Sequence, residues 1–416
     1  IKSLDAVNTN YNVTGMKRVF PYSPKFEDRH VKHGLHLWYE INFGTKASPA
    51  SIAETYRNLP EIEISETITI PVLSDGSGSP AYYSVTSDTD DRSDALPFDD
   101  PYLKKQWHYN NYGQTGGTLG SDINLFNAWE INHGANNIIV AVMDQGVDYT
   151  HEDLKNMMWV NEAELNGVEG VDDDENGYRD DIYGVNFATL TGNINIGYHG
   201  THVAGTIAAE NNNGIGVCGV AGGSGKNDGV RIMTCQILGG SVAADIPSAY
   251  VYAADMGAVI SQNSWGYDTP GVYDEAVHAG IDYFIEEAGN YTGSPMKGGV
   301  VFFASGNSNT EEMMYPGAYP SVVAVNGLNS LSNRASYSNY GDWTDISAPG
   351  GDDNDVELGT ETGYSNAIMS TLNGNSYGYL SGTSMACPHV SGIAALVLSE
   401  YGNSEFTNEM LKTHII

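Results

Sequence analysis

From about residue 100 the chain alternates short, continuous apolar runs with helix-length stretches. The runs NIIVAVMDQG (137–146), GVRIMTCQIL (229–238), GAVISQNSWG (257–266), GGVVFFASGN (298–307) and SVVAVNGL (321–328) show no polar alternation. Strands of this kind are buried on both faces, which predicts a parallel sheet covered by helices. THVAGTIAAE (201–210), DIPSAYVYAADMG (245–257) and YDEAVHAGIDYFIEEAG (273–289) supply helices between them. In α/β sheets, ligands bind beyond the carboxyl ends of the strands. The polar residues that end these runs are therefore the first place to look for chemistry.

The chain before this region has a different grammar. Residues 31–73 read as a small α/β unit. GLHLWYEINF (34–43) alternates as a strand, PASIAETYRNLP (49–60) opens a helix at Pro49, and EIEISETITI (61–70) alternates again. Residues 1–30 take no assignment. The stretch that follows is rich in Ser, Asp, Gly and Pro, so residues 74–97 read as a linker. The main domain is placed at 98–416, ending in an apolar helix, a short connection and a last short helix.

Composition narrows the function. The 416 residues carry 52 acidic and 18 basic side chains, a net charge of -34. Nucleic acid would be repelled by that surplus, whereas divalent cations would be attracted. No apolar run is long enough to predict a membrane span. Cys218, Cys235 and Cys387 are too few for a disulfide framework.

Four polar residues sit where the strand pattern directs attention. Asp144 ends a buried run in AVMDQGVDYTHEDL. His199 stands just before a helix in YHGTHVAGT. Asn307 ends another run in FFASGNS, and Ser384 opens the apolar helix of YLSGTSMACPHVSGIAALVL. A hydroxyl is a weak nucleophile until an imidazole takes its proton, and a carboxylate fixes that imidazole's tautomer. Asn307 and the Ser384 backbone N–H are candidate donors to an oxyanion. The chain order Asp, His, Ser belongs to one known version of this triad; an esterase or lipase would have a G-x-S-x-G elbow and the order Ser, Asp, His, whereas GTSMA stands around Ser384.

The strings DQGVDYTHEDL, HGTHVAGTIAA, SGN and SGTSMACPHVSG resemble the signature segments of the subtilisin-like serine proteases, the subtilases. The resemblance covers roughly residues 98–410. It implies a three-layer, doubly wound, mostly parallel α/β fold and a serine endopeptidase with an acyl-enzyme mechanism. Asp144 is then the orienting acid, His199 the general base, Ser384 the nucleophile and Asn307 the oxyanion donor. His202 and His389 are implied to be structural. The substrate-binding segments it implies are Leu238, Gly239 and Gly240 on one side and Ser264, Trp265 and Gly266 on the other. Ala304, Ser305 and Gly306 complete the pocket before the scissile bond. The 31–73 unit resembles the ferredoxin-like prodomain of secreted subtilases, an intramolecular inhibitor and folding aid, with processing within the linker near residues 95–99. The competing expectations are a catalytically silent scaffold on the same fold and an esterase using the same triad.

DDDENGYRDD (172–181) is a second signal. Oxygen ligands at alternate positions around Gly177 are what a calcium loop needs, although the closing Glu of an EF-hand is missing. Its candidate ligands are Asp172, Asp174, Asn176, Tyr178, Asp180 and Asp181, and it resembles the calcium loops that precede the active-site histidine in many subtilases. The resemblance implies a second structural Ca²⁺ site from Asp100, Asp148, the Asn212 side chain and carbonyls of Glu210, Ile215 and Val217. Calcium, acidity and the apparent prodomain together point to a secreted precursor whose partners are polypeptide substrates and its own N-terminal unit.

Overall fold

The computed structural model describes residues 2–73, 81–82, 96–240, 243–352 and 366–416. Most of the 74–97 linker falls outside the described residues, whereas the processing segment expected near 95–99 is described from residue 96 onward.

In the N-terminal unit, α1 (Lys2–Asn10), β1 (Val13–Arg18), α2 (Glu27–Lys32), β2 (Tyr39–Phe43) and α3 (Pro49–Arg57) follow one another. β1 pairs antiparallel with β2, Met16 opposite Ile41. Residues before and after position 30 thus share one two-stranded sheet, and no domain boundary falls there. α3 begins at Pro49 as the sequence predicts. Ser48 caps it by accepting the Ser51 N–H at 3.2 Å, and proline needs no partner at a first helical position. The alternating stretch 61–70 forms no strand. Ile64, Ile68 and Ile70 remain exposed, so the pattern has no face to bury. Pairing resumes at β3 (Val72–Leu73) and β4 (Ala81–Tyr82), and both join the main domain.

The main domain runs α4 (Leu125–Trp129), β5 (Ile139–Asp144), α5 (Glu162–Leu165), β6 (Gly184–Asn186), α6 (Tyr198–Ala208) and β7 (Arg231–Gln236). It continues through α7 (Ile246–Asp255), β8 (Ile260–Asn263), β9 (Trp265–Gly266), α8 (Glu275–Glu287), β10 (Val300–Ala304), β11 (Val323–Leu328) and β12 (Ile346–Pro349). The hairpin β13 (Ile368–Leu372) and β14 (Ser376–Leu380), then α9 (Thr383–Tyr401) and α10 (Asn408–Ile415), close it.

Seven strands form a wholly parallel sheet in the order β12-β11-β10-β8-β5-β7-β6. Successive residues feed opposite faces. Val140, Val142, Ile232 and Phe302 pack with α6 and α9, while Ala141, Met143, Met233 and Phe303 pack with α7 and α8. This produces the three layers and explains the unbroken apolar runs. Phe20 and Leu35 of the N-terminal unit are buried in the second of these clusters, so that unit docks on the α7–α8 face. No helix among the described residues is long and apolar enough to cross a membrane.

Candidate active site

β5 lies between β7 and β8, so the chain's winding reverses beside it and a crevice opens at the carboxyl ends. Register brings the candidate residues to that rim. Met143 of β5 and Phe303 of β10 both stand opposite Asn263 of β8, so Asp144, Ser264 and the Ala304–Asn307 segment follow side by side.

Asp144 and His199 are fully buried, with His199 Nδ1 2.8 and 2.9 Å from the two Asp144 oxygens. Gly200 makes this approach possible. A side chain there would collide with the Gln145 carbonyl, so α6 could not rest on the end of β5. The imidazole is held from one ring nitrogen, and the hydrogen bond fixes its tautomer.

Ser384 is the second residue of α9, where first-turn N–H groups point out of the helix. Its hydroxyl donates to the Ser264 carbonyl at 3.3 Å, and Ser264 Oγ donates back to the Ser384 carbonyl at 2.9 Å. Asn307 Oδ1 accepts the backbone N–H and the hydroxyl of the adjacent Thr383, each at 2.9 Å. These donors identify the oxygen end of the amide, so the Asn307 NH₂ faces the other way. Gly306, at φ +98°, turns the chain into this position and donates its N–H to Thr383 Oγ1.

His202 and His389 are occupied elsewhere. His202 Nε2 bonds the Ile368 carbonyl, and burial lowers its pKa to about 3. His389 bridges the Met385 carbonyl and His108 Nδ1, each at 2.7 Å, and burial lowers its pKa to about 4. Both are neutral structural groups. Burial also pushes the Cys387 thiol up, out of the reactive range.

A cavity of about 180 Å³ is lined by Trp265, Gly266, Ala304, Ser305 and Gly306 together with Tyr267, Met314 and Tyr315. The Trp265 ring does not narrow it. The ring is fully buried, edge-on to Phe303 and Tyr267, with its N–H on Asn263 Oδ1. Met314 and Tyr315, distant in sequence from the quoted strings, were not legible as lining. β3 pairs antiparallel with β9, Val72 opposite Gly266 and Leu73 opposite Trp265, so the N-terminal unit's tail lies at the cavity mouth. Leu238, Gly239 and Gly240 leave the end of β7, and the Leu238 N–H donates to the Asp144 carbonyl.

The acidic loop differs from its expected form. Asp174 and Asp181 converge with Glu164 of α5, their oxygens all within 4.8 Å of one another. Glu164 carried no sequence signal. It reaches the loop by accepting the N–H groups of Asp173 and Asp180. Asp172 instead accepts the Asn176 and Gly177 N–H groups, and Asp180 accepts that of Gly170. Asn176 donates to Asp181, and the Tyr178 ring packs on Phe187 and Tyr252. Burial raises the Asp181 pKa to about 6 and lifts that of Glu164. Crowded hard oxygens, from Glu164 and Asp181 that are buried and Asp174 that is partly so, are a donor set that fits Ca²⁺.

The second expected set is also rearranged. Asp148 accepts from Thr150 and from the Gly374 N–H, and the Asn212 side chain turns to the Ser224 carbonyl. The carboxylate that joins Asp100 at the 210–217 loop is Asp153. It accepts the Val217 N–H and the Asn213 amide, while Asp100 accepts the N–H groups of Asn212 and Asn213. Burial raises the pKa of both carboxyls, Asp153 the more strongly. Glu210, a further expected ligand, accepts from Asn156 through its side chain.

Comparison with known proteins decides the family. Residues 135–416 match the subtilase family and residues 2–113 match the N-terminal region of the subtilase family. The chain belongs to the subtilases. It is 36% identical over 280 residues to a thermophilic serine proteinase of Bacillus sp. (strain AK1), covering 67% of this chain and 56% of that protein. It is 30% identical over 351 residues to subtilisin-like protease 1 of Plasmodium vivax, covering 77% of this chain and 48% of that protein. The chain spans about half the length of these curated relatives. A solved structure of proteases from Pseudoalteromonas arctica PAMC 21717 superposes with a TM-score of 0.54 at 30% identity, over 76% of this chain and 91% of that one. The subtilase fold and N-terminal unit expected from the sequence are thereby found.

Proposed function

We propose that this subtilase is a calcium-dependent serine endopeptidase, made as a precursor whose N-terminal unit blocks the active site. The observation that carries the reading is the Asp144 clamp on His199 Nδ1, at the same strand-end rim to which Ser264 ties Ser384. In the reaction, Ser384 Oγ adds to the scissile carbonyl and passes its proton to His199 Nε2. Asp144 holds the ring and stabilises its cation. The Asn307 NH₂ and the Ser384 backbone N–H receive the oxyanion. His199 then protonates the leaving amine, and water releases the acyl group by the same steps reversed.

Substrate pairs as an added strand along Ser264–Gly266, with Leu238–Gly240 on its other side, and the residue before the scissile bond enters the cavity beside Ala304–Gly306. The antiparallel pairing of Val72 and Leu73 with β9 supports the inhibitor reading, because the N-terminal tail occupies the edge a substrate needs. Glu164, Asp174 and Asp181 would hold one structural Ca²⁺, and Asp100 and Asp153 with the 210–217 loop a second. The cation's role is to neutralise buried carboxylates. Calcium use, the acidic surface and the N-terminal unit favour secretion, with processing inside the 74–97 segment.

The test is hydrolysis of casein and of an acyl-peptide by the matured protein. Ser384→Ala, or a serine-directed phosphonate, should abolish both activities. Proteolysis that survives the substitution would remove Ser384 from the mechanism.

A further inference from the structure

The N-terminal unit touches the acidic loop as well as the helices. The Lys25 backbone N–H donates to the Glu175 carbonyl at 3.3 Å, and Ser23 Oγ lies 3.5 Å from the same oxygen. At Gly177 an added side chain would press on the Tyr22 carbonyl at 3.1 Å. The residues 22–26 therefore sit directly on the turn of the loop. From this seat the Lys25 ammonium reaches Asp174 Oδ2 at 3.0 Å. The Asp174 side chain is 9% exposed and that of Lys25 is 43% exposed. The Phe26 ring flanks the ammonium, 5.1 Å from its centroid.

Asp174 is one of the three carboxylates that converge within 4.8 Å. A residue of the N-terminal unit thus supplies a counterion to the group that we read as a cation site. We propose that Lys25 and a divalent cation compete for Asp174, so that docking of the N-terminal unit and metal loading of this loop oppose each other. This inference rests on the calcium reading given above. An ammonium on Oδ2 engages the same carboxylate that a dication would use and puts a positive charge within a few ångströms of it, in surroundings where water screens only partly. Coupling between two binding events is reciprocal. The N-terminal unit weakens the cation's hold, and the cation weakens that of the N-terminal unit by the same factor. Cation concentration then acts as a release signal for the blocked precursor.

Calcium titration calorimetry on the full chain carrying Ser384→Ala tests this without any activity readout. Three further variants are made in that background: Lys25→Met, which keeps the stem and loses the charge; Lys25→Gln; and Asp174→Asn. The expected result is one calcium-binding event that disappears in Asp174→Asn and tightens about fivefold or more in both Lys25 variants. If that event depends on Asp174 but is unchanged or weakened in the Lys25 variants, the competition is overturned while the calcium reading stands. If no event depends on Asp174, the calcium reading of this loop fails and the competition fails with it.

Discussion

The side-chain oxygen of Asn307 accepts both the backbone N–H and the hydroxyl of Thr383, each at 2.9 Å. Two donors on one oxygen leave the amide a single orientation, in which its NH₂ is aimed away from Thr383, as the proposed role of oxyanion donor requires. This is preorganisation by a neighbour of the nucleophile itself. Asn307→Ala should lower kcat by about 10²–10³-fold with little change in KM, the usual cost of losing one such donor. Thr383→Val keeps the N–H and removes the hydroxyl, which also accepts the Gly306 N–H. It should lower kcat by about tenfold, because the donor remains but loses part of its support. Steady-state kinetics on an acyl-peptide separates the two. Equal losses would show that the hydroxyl matters for something other than aiming the amide.

Asp144 contacts His199 through both carboxylate oxygens. Asp144→Asn would place an NH₂ donor against Nδ1 and favour the tautomer whose Nε2 cannot accept a proton. Catalysis should fall by about 10⁴-fold in kcat while the melting temperature stays close to that of the parent. Thermal melting recorded beside the kinetics checks that the loss is not one of folding. A mild effect on kcat would exclude the proposed orienting role.

Much of this arrangement was legible because the relevant signals are local. β5, β7, β8, β10 and β11 each read as unbroken apolar runs since both faces are covered. β6 and β12 escaped notice because GVN and ISAP are too short to show a pattern. The hairpin β13–β14 carries Ser, Thr, Tyr and Gly whose burial depends on partners far along the chain. Asp144, His199 and Ser384 stood out through the strings around them. Glu164 did not, because only tertiary folding brings its short helix onto the acidic loop. Asp148 and Asp153 lie in one string, and spacing alone does not reveal which of them turns toward Asp100. Trp265 was expected in a substrate-binding segment, and its ring lies in the core against Phe303.

The proposal that Asp153, rather than Asp148, joins Asp100 at a calcium site has a thermal consequence. Asp100 and Asp153 are buried carboxyls with raised pKa values, so a dication between them would relieve both desolvation and repulsion. Calcium at about 100–1,000 times its dissociation constant should raise the melting temperature by about 3–5 °C in a chain of this size. Asp153→Asn should lose most of that calcium-dependent gain, and Asp148→Asn should keep it. Differential scanning calorimetry with and without chelator makes the comparison. The opposite pattern would return Asp148 to the site.

The seat of Glu66 at the start of α8 should make the hold of the N-terminal unit depend on pH. Its two oxygens accept the Glu275 and Ala276 N–H groups at 3.0 and 3.1 Å, at the start of α8 that Asp274 already caps. Burial, and then the nearby Asp274 carboxylate, raise the Glu66 pKa from 4.5 to about 7. An acid whose pKa is higher in the docked state takes up a proton on docking. Its contribution is therefore complete below about 4.5 and is lost as the pH rises through about 7. Glu66 remains partly open to solvent, so the weakening should be about tenfold rather than the full amount its shift would give. Glu66→Gln mimics the protonated form and should flatten this part of the profile. Co-elution of the cleaved N-terminal unit with phosphonate-blocked enzyme, followed from pH 5 to 8, measures the effect. A parent complex that tightens with rising pH, or a Glu66→Gln profile as steep as the parent's, would remove Glu66 as the group responsible.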